Sequence, residues 1–266
     1  MLRRWSAAAV LGLSLGLAAP VVAQDLCRGF GPQAPRDIAS GAGTNPHVFS
    51  PAPAASSLNL CNIHAHRHAA HRGPGFMLAA GEGNGDGEGY RCNDTAFLTS
   101  AELLDPTPGH GAFRGVAPGD TIEVHWVYSS CAVRPGRGLR ACSSEACANP
   151  QLRIEAQVFL LVNDPGALDF SDFVYAGNIV DGRYQPKALP TASGEPVTFA
   201  GSTTGPDYSA SMCSPLQVTW SVRPDCAKLD INSLHAWASA GNAFEETHVH
   251  GVRPLVTAPE LLAPID

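Results

Sequence analysis

The sequence predicts a mainly β, single-domain protein, on three observations. Residues 121–129 (Thr-Ile-Glu-Val-His-Trp-Val-Tyr-Ser) are dense in β-branched and aromatic side chains, and Gly119-Asp120 supplies a turn before them. Residues 152–162 end in the continuous apolar run Val-Phe-Leu-Leu-Val, the pattern of a strand buried on both faces. Helical periodicity is confined to short stretches at 98–104 and 232–240, with a single turn's worth at 167–173. Further strands are expected at 58–66, 196–200 and 216–222. Neither an internal repeat nor an interdomain linker interrupts the pattern.

The first residues carry an address. Met1-Leu2-Arg3-Arg4 is a basic start, residues 7–19 are apolar, and Val21-Val22-Ala23 is a small-residue cleavage site, so residues 1–23 read as a secretory signal peptide. The apolar run is shorter than the roughly 20 residues of a spanning helix. Cleavage leaves 24–266 as the domain, with 24–57, rich in Gly, Pro, Ala and Ser, as an extended arm lying over it. The mature chain holds 15 basic and 24 acidic side chains, a formal net charge of −9. With no basic run and no later apolar span, nucleic acid and membrane are excluded as expected partners. The oligomeric state is not legible.

All eight cysteines follow the signal segment, and an even number in an exported chain reads as disulfides. Spacing does not give their connectivity; proximity in sequence suggests Cys27 with Cys61 and Cys213 with Cys226. Residues 81–89 place a glycine at every odd position. That reads as a flexible loop rather than a single calcium-binding nonapeptide turn.

The chemistry lies in the histidines. Four of the ten, His64, His66, His68 and His71, fall within eight residues. On a strand, His64, His66 and His68 would share one face, with alternate side chains about 7 Å apart. Two imidazoles from His64 and His66 can then meet one ion, and a third must come from a neighbouring strand about 4.8 Å away. His125, mid-strand between Val124 and Trp126, suits that place. Glu123 stands two residues earlier on the same face, where its carboxylate can accept a ligand imidazole's free N–H. Imidazole ligands admit Zn, Cu, Fe or Ni. His248-x-His250 is a second pair of the same form and reads as a second metal site or as packing.

Leu60-Cys61-Asn62-Ile63-His64-Ala65-His66, Gly119-Asp120-Thr121-Ile122-Glu123-Val124-His125-Trp126, Asn149-Pro150-Gln151-Leu152, Ala200-Gly201-Ser202-Thr203-Thr204-Gly205-Pro206, Gln217-Val218-Thr219-Trp220 and His248-Val249-His250-Gly251-Val252-Arg253 together resemble the delta-class carbonic anhydrases. A more distant resemblance links His64-x-His66, Glu123-x-His125, Gly201-Ser202-Thr203-Thr204, Val218-Thr219-Trp220 and Arg253-Pro254, in that order, to the alpha class.

The resemblance implies a large, twisted, mostly antiparallel sheet with few short helices and a metal in a funnel on its surface. It implies one Zn2+ per chain, replaceable by Co2+ or Cd2+, on His64, His66 and His125. The substrates would be CO2 and bicarbonate, interconverted through attack by zinc-bound hydroxide. Thr203 would orient that hydroxide, Glu123 would support a ligand, and His71 would shuttle protons, with His68 and His110 as further candidates. Trp126, Val127, Val218 and Thr204 are expected at the substrate pocket, although the first three read equally as core. One position departs from the delta-class pattern. Ala-Glu-His is expected where this chain has Ala69-Ala70-His71, leaving Glu155 or Glu82 to supply an acid for the threonine. The rival readings are a periplasmic metal carrier and a metal-dependent esterase.

Overall fold

The computed structural model describes residues 30–81, 88–203, 213–252 and 256–265. Its strands are β1 (Asn59–Arg67), β2 (Leu78–Ala79), β3 (Tyr90–Arg91), β4 (Thr121–Ser129), β5 (Leu152–Val162), β6 (Ile179–Val180), β7 (Arg183–Tyr184), β8 (Val197–Ser202), β9 (Gln217–Val222), β10 (Ala227–Asp230) and β11 (His250–Gly251), with one α-helix, α1 (Ile231–Ser239). All five expected strands form, within two residues of their expected ends. The expected helix at 98–104 does not. Thr99 and Glu102 make reciprocal side-chain to backbone bonds as a helix start would. Leu103 and Leu104 are exposed, however, so no apolar face is buried to repay helix formation. At 167–173 a 3₁₀ turn, Phe170–Asp172, forms.

The main sheet runs β11-β1-β4-β5-β9-β8, with β10 also on β5. It is mixed. The long ladders β1–β4, β4–β5 and β8–β9 are antiparallel, and β1–β11, β5–β9 and β5–β10 are parallel. Strand β9 lies along Leu152–Ala156 and β10 along Phe159–Val162, so the two share one edge of β5.

β4 is buried along its whole length, polar residues included, because both sheet faces are covered. One face packs Trp126, Phe159 and Leu161 against Ile231, Leu234 and Trp237 of α1 and against Phe170. Asp230 caps α1, its side chain accepting from the Asn232 N–H. The other face carries Val127, Ala156, Val158, Val218 and Trp220. The arm closes over this second face, placing Ala34 and Ile38 in its core. Backbone bonds from Gln33 to Leu261 and Ala263, and between Arg36, Ile38 and Arg72, hold the arm in place.

A β-bulge decides which face the histidines occupy. Leu60 opposes Tyr128 and Asn62 opposes Val127, so Cys61 is an extra residue. Leu60 therefore packs with the α1 face, whereas Asn62, in register with Val127, moves to the other face. His64 and His66 follow it by alternation.

Disulfides join Cys61 to Cys142, Cys92 to Cys226, and Cys131 to Cys147, and Cys213 is disulfide-bonded as well. The expected pairs Cys27–Cys61 and Cys213–Cys226 are thus corrected. The bulge turns Cys61 toward the 3₁₀ turn Leu139–Cys142, and the kink between β9 and β10 sets Cys226 beside Gly75, near Cys92. Cys27 and the six central residues of the glycine-rich run, 82–87, lie outside the described residues. No helix among the described residues is long and apolar enough to cross a membrane.

The Cys92–Cys226 bridge closes the longest loop of the three, with a separation of 134 residues. Replacing both cysteines with serine should lower unfolding free energy by about 2–5 kcal/mol, read from urea titration. An unchanged midpoint would show that this closure contributes nothing.

Candidate metal centre

The β1–β4 register sets His64 directly opposite His125, and His66 opposite Glu123. The three imidazoles converge, with one ring nitrogen from each lying within 4.8 Å of the others. His125 Nδ1 stands 3.3 Å from His64 Nε2. Two nitrogens, each 2.0–2.1 Å from a tetrahedral zinc, stand about 3.3–3.4 Å apart. The donor pair therefore fits zinc without rearrangement. His66 Nδ1 is buried with no hydrogen-bond partner, a costly state for an imidazole that serves no ligand.

Neighbours fix the ring orientations. Asn62 Nδ2 donates to the Gly136 carbonyl at 3.0 Å, which turns Asn62 Oδ1 toward His64. His64 Nδ1–H donates to that oxygen at 2.7 Å, leaving the Nε2 lone pair for an ion. Glu123 is wholly buried. Its Oε1 accepts from His71 Nδ1 at 2.7 Å and lies 3.1 Å from His125 Nε2. Its Oε2 accepts from the Ala70 and His71 backbone N–H groups.

Burial, reinforced by His125 and then His66, holds the His64 pKa well below the ordinary imidazole value. His66 is pushed down to about 3, by burial first and His125 second. Both rings are neutral at working pH, as metal ligation requires. Burial would raise the Glu123 pKa, but the charges of His71 and His125 and their hydrogen bonds hold it well below the carboxylate range.

The triad opens onto a cavity of about 310 Å³. Thr203 is on its wall, its carbonyl accepting from Ser214 Oγ at 2.6 Å. His71 is on the wall too, buried and with its ring 4.7 Å from that of Trp220. Thr204 lies outside the described residues, as do Glu82 and Arg253-Pro254.

Several expectations are corrected. Trp126 is on the α1 face, its Nε1 donating to the Phe173 carbonyl at 2.8 Å, so it does not line the cavity. Val127 and Val218 share the triad's face but belong to its packed core. His68 does not share a face with His64 and His66, because the strand ends at Arg67 and His68 turns away with a φ of 64°. His110 sits in a remote turn, its N–H donating to Thr107. Glu155 opposes Trp126, on the wrong face to serve Thr203, and pairs with Arg153 at 2.5 Å.

Sequence reasoning missed Asn62, Glu246 and the place of His250. His250 opposes His66 in the parallel β1–β11 pair. Its ring lies 6.1 Å from that of His64 and 6.3 Å from that of His66. His248 is exposed on the cavity wall, its ring 4.9 Å from that of His250. The 248–250 motif was a visible signal, but its partner strand was not.

The lowered His66 pKa sets a pH dependence. Between about 3 and 6.5 the unfolded chain binds the proton and the folded chain does not, so stability is lost as the pH is lowered through that window. For the metal-free protein, urea midpoints from about pH 7 to about pH 4 should drop, and drop less in His66→Gln. Equal slopes for the two proteins would contradict a His66 held neutral by the fold.

A search of curated proteins finds no match for this chain. The family model for delta carbonic anhydrase matches residues 55–233, a span that holds all three converging histidines, Glu123 and Thr203. On that match over most of its length, the chain belongs to the delta carbonic anhydrase family.

Proposed function

We propose that this protein catalyses the reversible hydration of CO2 to bicarbonate and a proton, with one Zn2+ held by His64, His66 and His125. The convergence of three imidazoles on an open cavity carries the reading, and family membership supports it. Zinc would supply a Lewis acid that lowers a bound water's pKa from 15.7 to about 7, a value known from carbonic anhydrase itself. Co2+ or Cd2+ would fit the same nitrogens.

The chain's own residues do the rest. Glu123 stays ionised, and with Asn62 it fixes which ring nitrogens of His125 and His64 face the ion. Trp220, Leu139 and Phe244 give the cavity apolar walls suited to CO2. The Thr203 hydroxyl is the orienting group from the cavity wall. His71 is buried with Nδ1 engaged by Glu123, which favours a bracing role over proton shuttling. Exposed His248 is better placed to pass protons to solvent. Export is supported by the signal-like first 23 residues and by the described disulfides.

Stopped-flow CO2 hydration on metal-quantified protein tests the reading. Wild type should bind one equivalent of zinc and run far above buffer, and His125→Ala should lose both properties. His248→Ala should lower kcat in dilute buffer and recover with added imidazole. One equivalent of bound zinc without hydration would leave a metal carrier.

A further inference from the structure

We infer that Glu246 is a positioning residue of the metal centre, anchoring the β1 backbone between ligands His64 and His66 and adding a second buried carboxylate to that of Glu123. The inference rests on the metal reading above. Glu246 lies beyond the residues matched by the family model.

On its outer edge β1 is covered by β11 only at His66 and Arg67. The N–H of Ala65, between the two ligands, points to that edge beyond the cover. Glu246 Oε1 accepts from it at 3.0 Å. A side chain thus completes the sheet edge where a backbone carbonyl would otherwise stand. The same carboxylate holds a second group of the site, since His250 Nε2 lies 3.0 Å from Oε1 and 3.1 Å from Oε2.

The loop is built to present this side chain. Asn242 Oδ1 accepts from the Phe244 and Glu246 N–H groups at 3.1 and 3.0 Å, and Asn242 Nδ2 donates to the Glu246 carbonyl at 2.9 Å. The intervening Glu245 takes a φ of 53° and turns outward to Arg137. Glu246 is turned inward and is 6 % exposed.

Charge gives an independent argument. Imidazole ligands bring no negative charge to a divalent ion. Among the described residues, Glu123 and Glu246 are the two buried carboxylates. Both are at this centre: Glu123 in contact with His125, and Glu246 bonded to the peptide that joins the other two ligands.

The test is zinc affinity by chelator competition on the full mature protein, with the visible spectrum of the Co2+ form and thermal melting alongside. Glu246→Ala should weaken zinc roughly 10–100-fold and shift the cobalt bands. Glu246→Gln, which keeps an acceptor for Ala65 but loses the charge, should fall between Ala and wild type. Wild-type affinity and spectrum in a folded Glu246→Ala protein overturn the inference, even if its melting temperature drops. If that variant does not fold, the same result in Glu246→Gln overturns it. Failure of wild type itself to take up one equivalent of zinc would instead remove the metal reading.

Discussion

The antiparallel register between β1 and β4 is the constraint from which the site follows. It opposes His64 to His125 and His66 to Glu123, so that strand spacing and side-chain alternation bring three imidazoles and a carboxylate together. A one-residue slip of β1 would send His64 and His66 to the α1 face, away from His125 and Glu123. The bulge at Cys61 is part of the same device. It reverses the alternation between Leu60 and Asn62, which lets Leu60 fill the helix-covered core while the following polar residues face the cavity. The Cys61–Cys142 bridge pins that bulge to the turn whose Leu139 lines the cavity.

The electrostatic design follows from burial. Partial burial of His64 and His66 at the cavity, with the neighbouring imidazoles, lowers their proton affinity and leaves lone pairs available. Buried Glu123 keeps its charge only because His71, His125 and two backbone N–H groups surround it. That carboxylate, held by His71 and the two backbone N–H groups, stands 3.1 Å from His125 Nε2. Asn62 does the corresponding work for His64 through a neutral amide whose orientation is set by Gly136.

Part of the cavity's wall comes from the two ends of the chain. Ala34 and Arg36 reach it from the arm, and Phe244, Glu246, His248 and His250 from the segment after α1. These pieces lie outside residues 55–233. The matched span supplies the triad and the wall residues His71, Leu139, Thr203 and Trp220, while the rest of the wall is added by the two ends. Arg36 shows the coupling: its guanidinium donates to the Ala70 carbonyl, and the Ala70 N–H donates to Glu123. The arm is therefore two hydrogen bonds away from a group that orients a ligand.

The strands were legible because β-branched and alternating patterns are local, and so were His64-x-His66 and Glu123-x-His125, each carried on one strand. Alternation also held the answer for Trp126, which must face away from its neighbour His125. The bracing of His71 by Glu123, the Cys92–Cys226 bridge and the junction of His250 with His66 were not legible. Each depends on which segments meet after distant parts of the chain are paired. By itself the sequence determined a β-rich chain with histidines at ligand spacing, since residue type and period act over a few positions. The tertiary structure decided which face those histidines share, which acids stand behind them and what walls enclose them, because register, bulge and edge closure are fixed only by packing across the whole sheet.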